Sequence, residues 1–243
     1  MSDENTNPEQ TLSKIKSRGY WEVIIRPLKF EKERIMDLPE CLKIVEESRI
    51  QLRGWDYPHV GHHPAPYCGI DYVESFVDWD EHKEFWRMYQ SGQFVHLFAL
   101  HEDWLGEQRP LFGGVSKYAS IKPMSILEIT MTLWSMTEIY QFAMELSKKG
   151  LFDGTAAISL KLHGLLNRRL SSFDIGWGYL DGCVCHIDIL PREKEIPIKI
   201  LIEQSAEIAV NETLEVLKRF NWQSPPIESL EKSQHKLLTR SFP

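Results

Sequence analysis

The sequence predicts an α+β fold, with a mixed, largely antiparallel sheet and helices packed on one or both of its faces. Segments with the two-residue alternation of strands outnumber segments with helical periodicity. Several neighbouring strand-like segments are joined by links too short for the crossover that parallel strands require. The 243 residues, 42% of them hydrophobic, can bury one sizeable core. We therefore expect a single domain over residues 18–222, a disordered lead-in over 1–17 and an irregular tail over 223–243.

The first strand and the first helix have clear patterns. In YWEVIIRPL, Trp21, Val23 and Ile25 alternate with a mixed set of polar and apolar neighbours, which predicts a strand with one face in the core. Asp37 precedes LPECLKIVEES and can accept hydrogen bonds from the free amides at the start of a helix. Further along, IDYVESFV predicts a strand, DEHKEFWRMYQS predicts a helix that ends at Gly92, and QFVHLFALHED predicts another strand.

The same strand-helix-strand order is predicted a second time. ILEITMTLW predicts a strand, EIYQFAMELSKK a helix opened by a capping box at Ser135 and Glu138, and TAAISLKLHG a strand. Trp79 and Trp134 precede the two predicted helices, which makes the two units candidates for a duplication. VCHIDIL and IPIKILI then predict strands joined by a charged turn, PREKE, and SAEIAVNETLEVLKRF predicts the last helix.

The composition excludes several classes of protein. The net charge of −7 opposes a surface that binds nucleic acid throughout. The first residues are acidic, where a secretory signal needs basic ones, and no apolar run reaches the roughly 20 residues of a membrane helix. The four cysteines are unevenly spaced in a chain too long to need disulfides. We expect a cytoplasmic protein with reduced thiols and no contact with a membrane.

Common catalytic motifs are missing from the sequence. It contains no phosphate-binding P-loop, no dinucleotide-binding glycine pattern, no nucleophile elbow, no His-Glu-x-x-His and no Cys-x-x-Cys. We therefore predict no cofactor.

The most unusual stretch is QLRGWDYPHVGHHPAPYCG, residues 51–69. Its rings and histidines lie between prolines that stiffen the backbone, and rigid amphipathic rings are typical of binding hot spots. This predicts a non-catalytic binding or regulatory module that recognises a macromolecular partner, another protein, through this loop. The predicted partner-binding residues are Arg53, Trp55, Tyr57, His59, His62, His63, Tyr67 and, from a later loop, Trp177.

A metal-dependent hydrolase or nuclease is the first alternative, centred on His62, His63 and Asp71. Histidine titrates near neutral pH, and a carboxylate can orient it for acid-base work. A second set of metal-ligating side chains lies at Cys183 and Cys185, followed by His186. On a strand, neighbouring residues point to opposite sides, so the two thiols and His186 do not converge, and we predict no bound metal.

Nucleic-acid binding through a loop near Arg168 and Arg169 is the second alternative. These arginines follow Lys161 and precede aromatic residues, and cations beside stacking rings are typical of single-strand binding. The acidic net charge makes this binding weak. The stretches LRGWDYPH and FWRMYQSGQFVHLF resemble regions of bacterial proteins, some of them joined to nucleic-acid-associated domains, and this resemblance implies a binding module.

Overall fold

The chain forms an α+β structure in which helices pack against one large antiparallel sheet, so the predicted fold class is confirmed. The structure, a computed structural model, describes residues 7–61, 65–79, 81–107, 121–173, 177 and 180–241. The strands are β1 (Tyr20–Pro27), β2 (Ile50–Gln51), β3 (Asp56–Tyr57), β4 (Tyr67–Cys68), β5 (Tyr72–Trp79), β6 (His82–Tyr89), β7 (Phe94–Ala99), β8 (Ile126–Glu128), β9 (Thr155–His163), β10 (Arg169–Ser171) and β11 (Leu190–Pro197). The helices are α1 (Pro8–Lys16), α2 (Leu38–Ser48), α3 (Ile129–Ser147), α4 (Ile198–Lys218) and α5 (Ile227–Leu238).

In the described part of the chain, seven strands make the large sheet, in the order β11-β9-β1-β7-β6-β5-β4. Every neighbouring pair in it is antiparallel. Among the described residues, parallel pairing occurs only between the short strands β8 and β10, which form a separate two-stranded sheet.

Each face of the sheet has its own apolar layer. The main core lies between the sheet and α2 to α5, where Phe94 of β7 packs on Phe142 of α3 with ring centroids 4.7 Å apart. On the other face, α1 covers β5 to β7 through a smaller cluster that contains Ile15, Phe76 and Phe85. Strand alternation explains this division, because successive side chains point to opposite faces.

The predicted helix after Asp78 is wrong, because His82–Tyr89 is strand β6, paired with β5 and β7. Alternate residues serve different faces: Trp86 belongs to the main core and Phe85 to the smaller cluster. Gly92, expected to end a helix, instead has a φ of 82° between β6 and β7. Both faces of β6 are buried, so its sequence lacks the apolar-polar alternation of a half-exposed strand.

The predicted second unit is also wrong, since Ile129–Ser147 is the single helix α3. Glu128 caps it by accepting a hydrogen bond from the amide of Met131, and Ser135 and Glu138 lie inside the helix. Because α3 is buried on most sides, its sequence has no single apolar stripe, and its β-branched residues imitate a strand. The proposed duplication has no structural basis among the described elements.

Two neighbouring segments differ from their predictions: PREKE was predicted to be a turn, and IPIKILI was predicted to be a strand. PREKE lies within strand β11 rather than a turn, and IPIKILI crosses the end of β11 and enters α4 at Ile198. Charges alternate along β11 because it is an edge strand: Arg192 and Lys194 pair with Glu212 of α4, and Glu193 and Glu195 are exposed.

Both terminal segments contain helices, which corrects the predicted lead-in and tail. In α1, Asn7 caps the first turn by accepting a hydrogen bond from Gln10, and Ile15 is buried against the sheet. In α5, Leu230 and Leu237 are buried. Each helix buries only two or three residues, so its sequence has no clear apolar periodicity. Packing against the rest of the protein stabilises these helices. A single domain over 18–222 stays a prediction.

Candidate functional site

Four rings gather at the turn between β5 and β6. The Trp55 and His82 rings are 5.2 Å apart, those of Trp79 and His82 are 6.4 Å apart, and those of His59 and Trp79 are 4.7 Å apart between centroids. We call these four residues the ring cluster. The two tryptophans are 36% (Trp55) and 44% (Trp79) exposed, so two partly solvent-exposed tryptophans lie next to one imidazole.

The loop that carries Trp55 and His59 is fixed to the sheet. Its start pairs as the small β2–β3 ladder, and Tyr57, 4% exposed, is buried in the main core. The amide of His59 donates to Oε1 of Glu84 at 2.6 Å, and the indole of Trp86 donates to the carbonyl of His59 at 2.8 Å. The ring cluster therefore rests on a preorganised backbone.

Glu84 is a buried carboxylate beneath the ring cluster. Its Oε2 lies 3.2 Å from Nε2 of His82 and 3.5 Å from Nε2 of the fully buried His96. Burial by itself would raise the pKa of Glu84, but hydrogen bonds and charge interactions with His82 and His96 outweigh it and hold the pKa well below its ordinary value. Burial lowers the pKa of His59.

A small cleft, with a volume of about 40 Å³, adjoins the ring cluster. Its walls come from the Arg53–Tyr57 loop, the start of β6, the end of β7 with the turn that follows, and the first turns of α3. His101 and Glu102 line it together. Burial lowers the pKa of His101 to about 4 and raises the pKa of Glu102 to about 7.

The basic residues of the cleft have acidic partners. Arg53 makes a bidentate ion pair with the buried Glu138 of α3, and its third nitrogen lies 3.5 Å from Sδ of Met131. Lys83 lies 3.0 Å from Asp78. Their charges are compensated within the protein.

The predicted loop residues divide between surface and core. Arg53, Trp55 and His59 belong to the cleft or the ring cluster. The structure corrects the prediction for Tyr57, which is a core residue with ring contacts to Phe98 and Phe142 rather than a surface anchor.

Two further predicted contact residues lie elsewhere. Trp177, 7% exposed, is part of the main core, which removes it from the predicted binding surface. Tyr67 is exposed, but its ring stacks on Phe76 on the α1 side of the sheet, whereas the ring cluster surrounds Glu84 on the opposite side. The sequence therefore predicted one surface where the structure has two.

The predicted hydrolase centre is only partly visible. His62 and His63 lie outside the described residues. Asp71 precedes β5, whereas the ring cluster lies at the other end of that strand. Cys183 and Cys185 are buried thiols, and His186 is exposed. No group of three or more His, Cys, Asp or Glu residues in the described part of the chain is arranged to hold a metal ion.

The two arginines proposed for nucleic-acid binding have different environments. Arg168 is fully buried and its guanidinium pairs with Asp103, so it cannot neutralise a phosphate and its predicted role is wrong. Arg169 is exposed at the start of β10. Lys161 lies on β9, where its ammonium group is 2.8 Å from Glu22.

Sequence reasoning missed five residues of the site, namely Trp79, His82, Glu84, His101 and Glu102. Reading residues 82–89 as a helix hid the alternation that places His82 and Glu84 on one face of a strand. His101 and Glu102 were read as the end of β7, but the strand stops at Ala99 and a 3-10 turn carries both residues to the cleft.

Among the described residues, no helix is long and apolar enough to cross a lipid bilayer. A comparison with protein-family models finds no match. Comparisons with curated proteins and with solved structures find no similar protein either.

Proposed function

We propose that this chain is a non-catalytic binding module that recognises a partner protein through the ring cluster and the adjoining cleft. The observation that carries the proposal is the pair of partly exposed tryptophans, Trp55 and Trp79, whose rings both lie close to the ring of His82. Tryptophan is enriched among the residues that dominate binding energy at protein interfaces, because it brings a large apolar area at a low cost in conformational entropy.

The rigidity of the surface supports binding. Hydrogen bonds from His59 and Trp86 hold the loop on the sheet before a partner arrives, so little ordering free energy is lost on association. A recognition loop held in this way differs from a segment that folds only on binding.

Several polar groups in and near the cleft already have partners within the protein, which fits binding better than catalysis. The Glu84 carboxylate contacts the imidazoles of His82 and His96 and the amide of His59. The hydroxyl of Thr132 donates to the carbonyl of Glu128 within α3 at 2.7 Å, which occupies a possible nucleophile. As part of the same proposal we place this module in the cytoplasm, where free thiols such as the exposed Cys68 persist.

The test is affinity capture with the whole chain as bait, comparing wild type with a Trp55→Ala, Trp79→Ala double variant. We expect the captured proteins to be lost in the double variant, while far-UV circular dichroism and the urea midpoint change little because both indoles are half exposed.

The matched control removes as many apolar side chains from another surface. Met36 and Ile70 are 86% and 96% exposed, and both lie near Gln90, at the other end of β5 and β6 from the ring cluster. A Met36→Ala, Ile70→Ala variant should capture the same proteins as wild type. Equal capture by the tryptophan variant and wild type would show that the ring cluster is not the recognition surface.

A further inference from the structure

Glu102 is a buried carboxyl group without a basic partner among the described residues. It is 2% exposed, and its Oε1 accepts a hydrogen bond from the amide of Glu128 at 2.9 Å. The hydrogen bonds that act on it come from backbone amides. Arg168 attracts it from a distance, but that guanidinium is already paired with Asp103.

A buried carboxylate is costly unless a cation or several hydrogen bonds compensate it. Arg53 and Lys83, the basic residues that line the cleft, are paired with Glu138 and Asp78. When Glu102 is ionised, the cleft therefore supplies no counter-ion for its negative charge in the described part of the chain. When Glu102 is protonated, its carboxyl group is neutral.

We propose that the cleft binds the ammonium group of a lysine side chain from the partner, with Glu102 as its counter-ion. This inference rests on the proposed function and names the chemistry that the cleft recognises. Trp21 and Trp55 line the same cleft, and indole rings attract cations and pack against a methylene chain.

The hydrogen bonds of Glu102 favour lysine over arginine. A guanidinium binds a carboxylate best with two parallel hydrogen bonds, one to each oxygen. Because Oε1 of Glu102 already binds the amide of Glu128, a group that needs only one acceptor fits better.

The protonation of Glu102 also supports an ammonium site in the cleft. Burial raises the pKa of Glu102 to about 7, so at neutral pH the carboxyl holds a proton in a large fraction of molecules. An ammonium group that replaces this proton restores neutrality, and binding should weaken on acidification. The charged and titratable groups that surround Glu102 and the cleft are Arg53, Tyr57, Glu81, His82, Lys83, Glu84, His101, Asp103, Glu128, Glu138 and Arg168.

The experiment is calorimetric titration of the whole chain with N-acetyl-lysine methylamide and with its norleucine analogue, which lacks the ammonium group. At pH 8 we expect the lysine compound to bind at least about tenfold more tightly, the value of one charge-assisted hydrogen bond. With a pKa of about 7 for Glu102, its affinity should fall about tenfold between pH 8 and pH 6, as the ionised fraction falls.

The Glu102→Gln variant should lose both the preference for lysine and the pH dependence. The glutamine oxygen can still accept the hydrogen bond from Glu128, and urea unfolding checks that the variant folds. The matched control, Glu195→Gln, removes an equal charge from exposed β11 and should behave as wild type. Equal binding of the two compounds to wild type at pH 8 would overturn the proposal whether or not Glu102→Gln folds, and so would an unchanged preference in a folded Glu102→Gln protein.

The two proposals fail separately. If capture depends on Trp55 and Trp79 but the lysine compound binds no more tightly than its analogue, the proposed binding module is supported and the proposed ammonium site is refuted. A preference for lysine that depends on Glu102, with capture unaffected by the tryptophan variant, would do the reverse.

Discussion

Replacing Arg168 with alanine should destabilise the protein strongly, because Arg168 neutralises a buried carboxylate. Its Nη1 and Nη2 atoms lie 2.8 Å and 2.5 Å from the two oxygens of Asp103, and its Nε and Nη1 donate to the carbonyls of Gly164 and Ile126. Asp103 in turn binds the amides of Gly19 and Met124, so the pair joins the start of β1 to the segments before β8 and β10.

The expected magnitude follows from the charge that is left behind. Removing one partner of a buried ion pair costs about 3–5 kcal/mol, because the remaining charge stays buried without compensation. The corresponding loss in melting temperature is about 10 °C for a chain of this size. Arg168→Lys restores the charge but not the forked hydrogen bonds, so its loss should be smaller.

Arg169 provides the matched control for this prediction. It is the next residue in the chain but is exposed, so Arg169→Ala should change the free energy of unfolding by no more than about 0.5 kcal/mol. Urea unfolding, followed by circular dichroism at pH 7, measures all three variants. A loss below about 1 kcal/mol for Arg168→Ala would refute the argument that this ion pair holds the segments together.

Four further predictions concern the packing of the protein and the pH dependence of its stability. Tyr57→Ala should lower the free energy of unfolding by about 3–5 kcal/mol in urea titrations, because a buried ring is lost. A loss near zero would show that Tyr57 is not a core residue. Burial lowers the pKa of His101 from 6.5 to about 4, so the unfolded chain binds its proton first and stability falls as the pH drops through this window. His101→Gln should flatten that fall, and an unchanged slope would contradict it. Burial raises the pKa of Glu102 from 4.5 to about 7, so its contribution has the opposite sign: stability is lost as the pH rises through this window. Glu102→Gln should remove that loss in unfolding curves from pH 4.5 to 8, and a loss that persists would contradict it. Gly19→Ala should lower the melting temperature, because a Cβ there would lie 2.2 Å from Nη2 of the immobilised Arg168; an unchanged melting temperature would show that Arg168 can move aside.

Elements with one buried and one polar face could be predicted from the sequence. Strands β1 and β9 and helix α2 all lie where the periodicity places them, and Asp37 caps α2 by accepting from the amide of Glu40 at 2.8 Å. In these elements the local pattern and the tertiary environment agree, so the period of apolar residues is a sufficient signal.

Three elements were misread. α3 is buried on most sides, β6 is buried on both faces, and the edge strand β11 carries a charge at four of its eight positions. Their apolar patterns report burial or ion pairing with distant segments rather than the local backbone conformation. Sequence periodicity cannot distinguish these cases, because the partners lie far away along the chain.

For the site, the sequence by itself determined that the loop with Arg53, Trp55 and His59 is rich in side chains suited to recognition. Only the tertiary structure decided that Tyr57 turns into the core and that Trp79 and His82 complete the ring cluster. The physical reason is that exposure and charge compensation are properties of contacts between segments. Glu102 shows this most clearly, since its isolation depends on Arg53, Lys83 and Arg168 each being paired with another acid, and no local pattern in the sequence records those pairs.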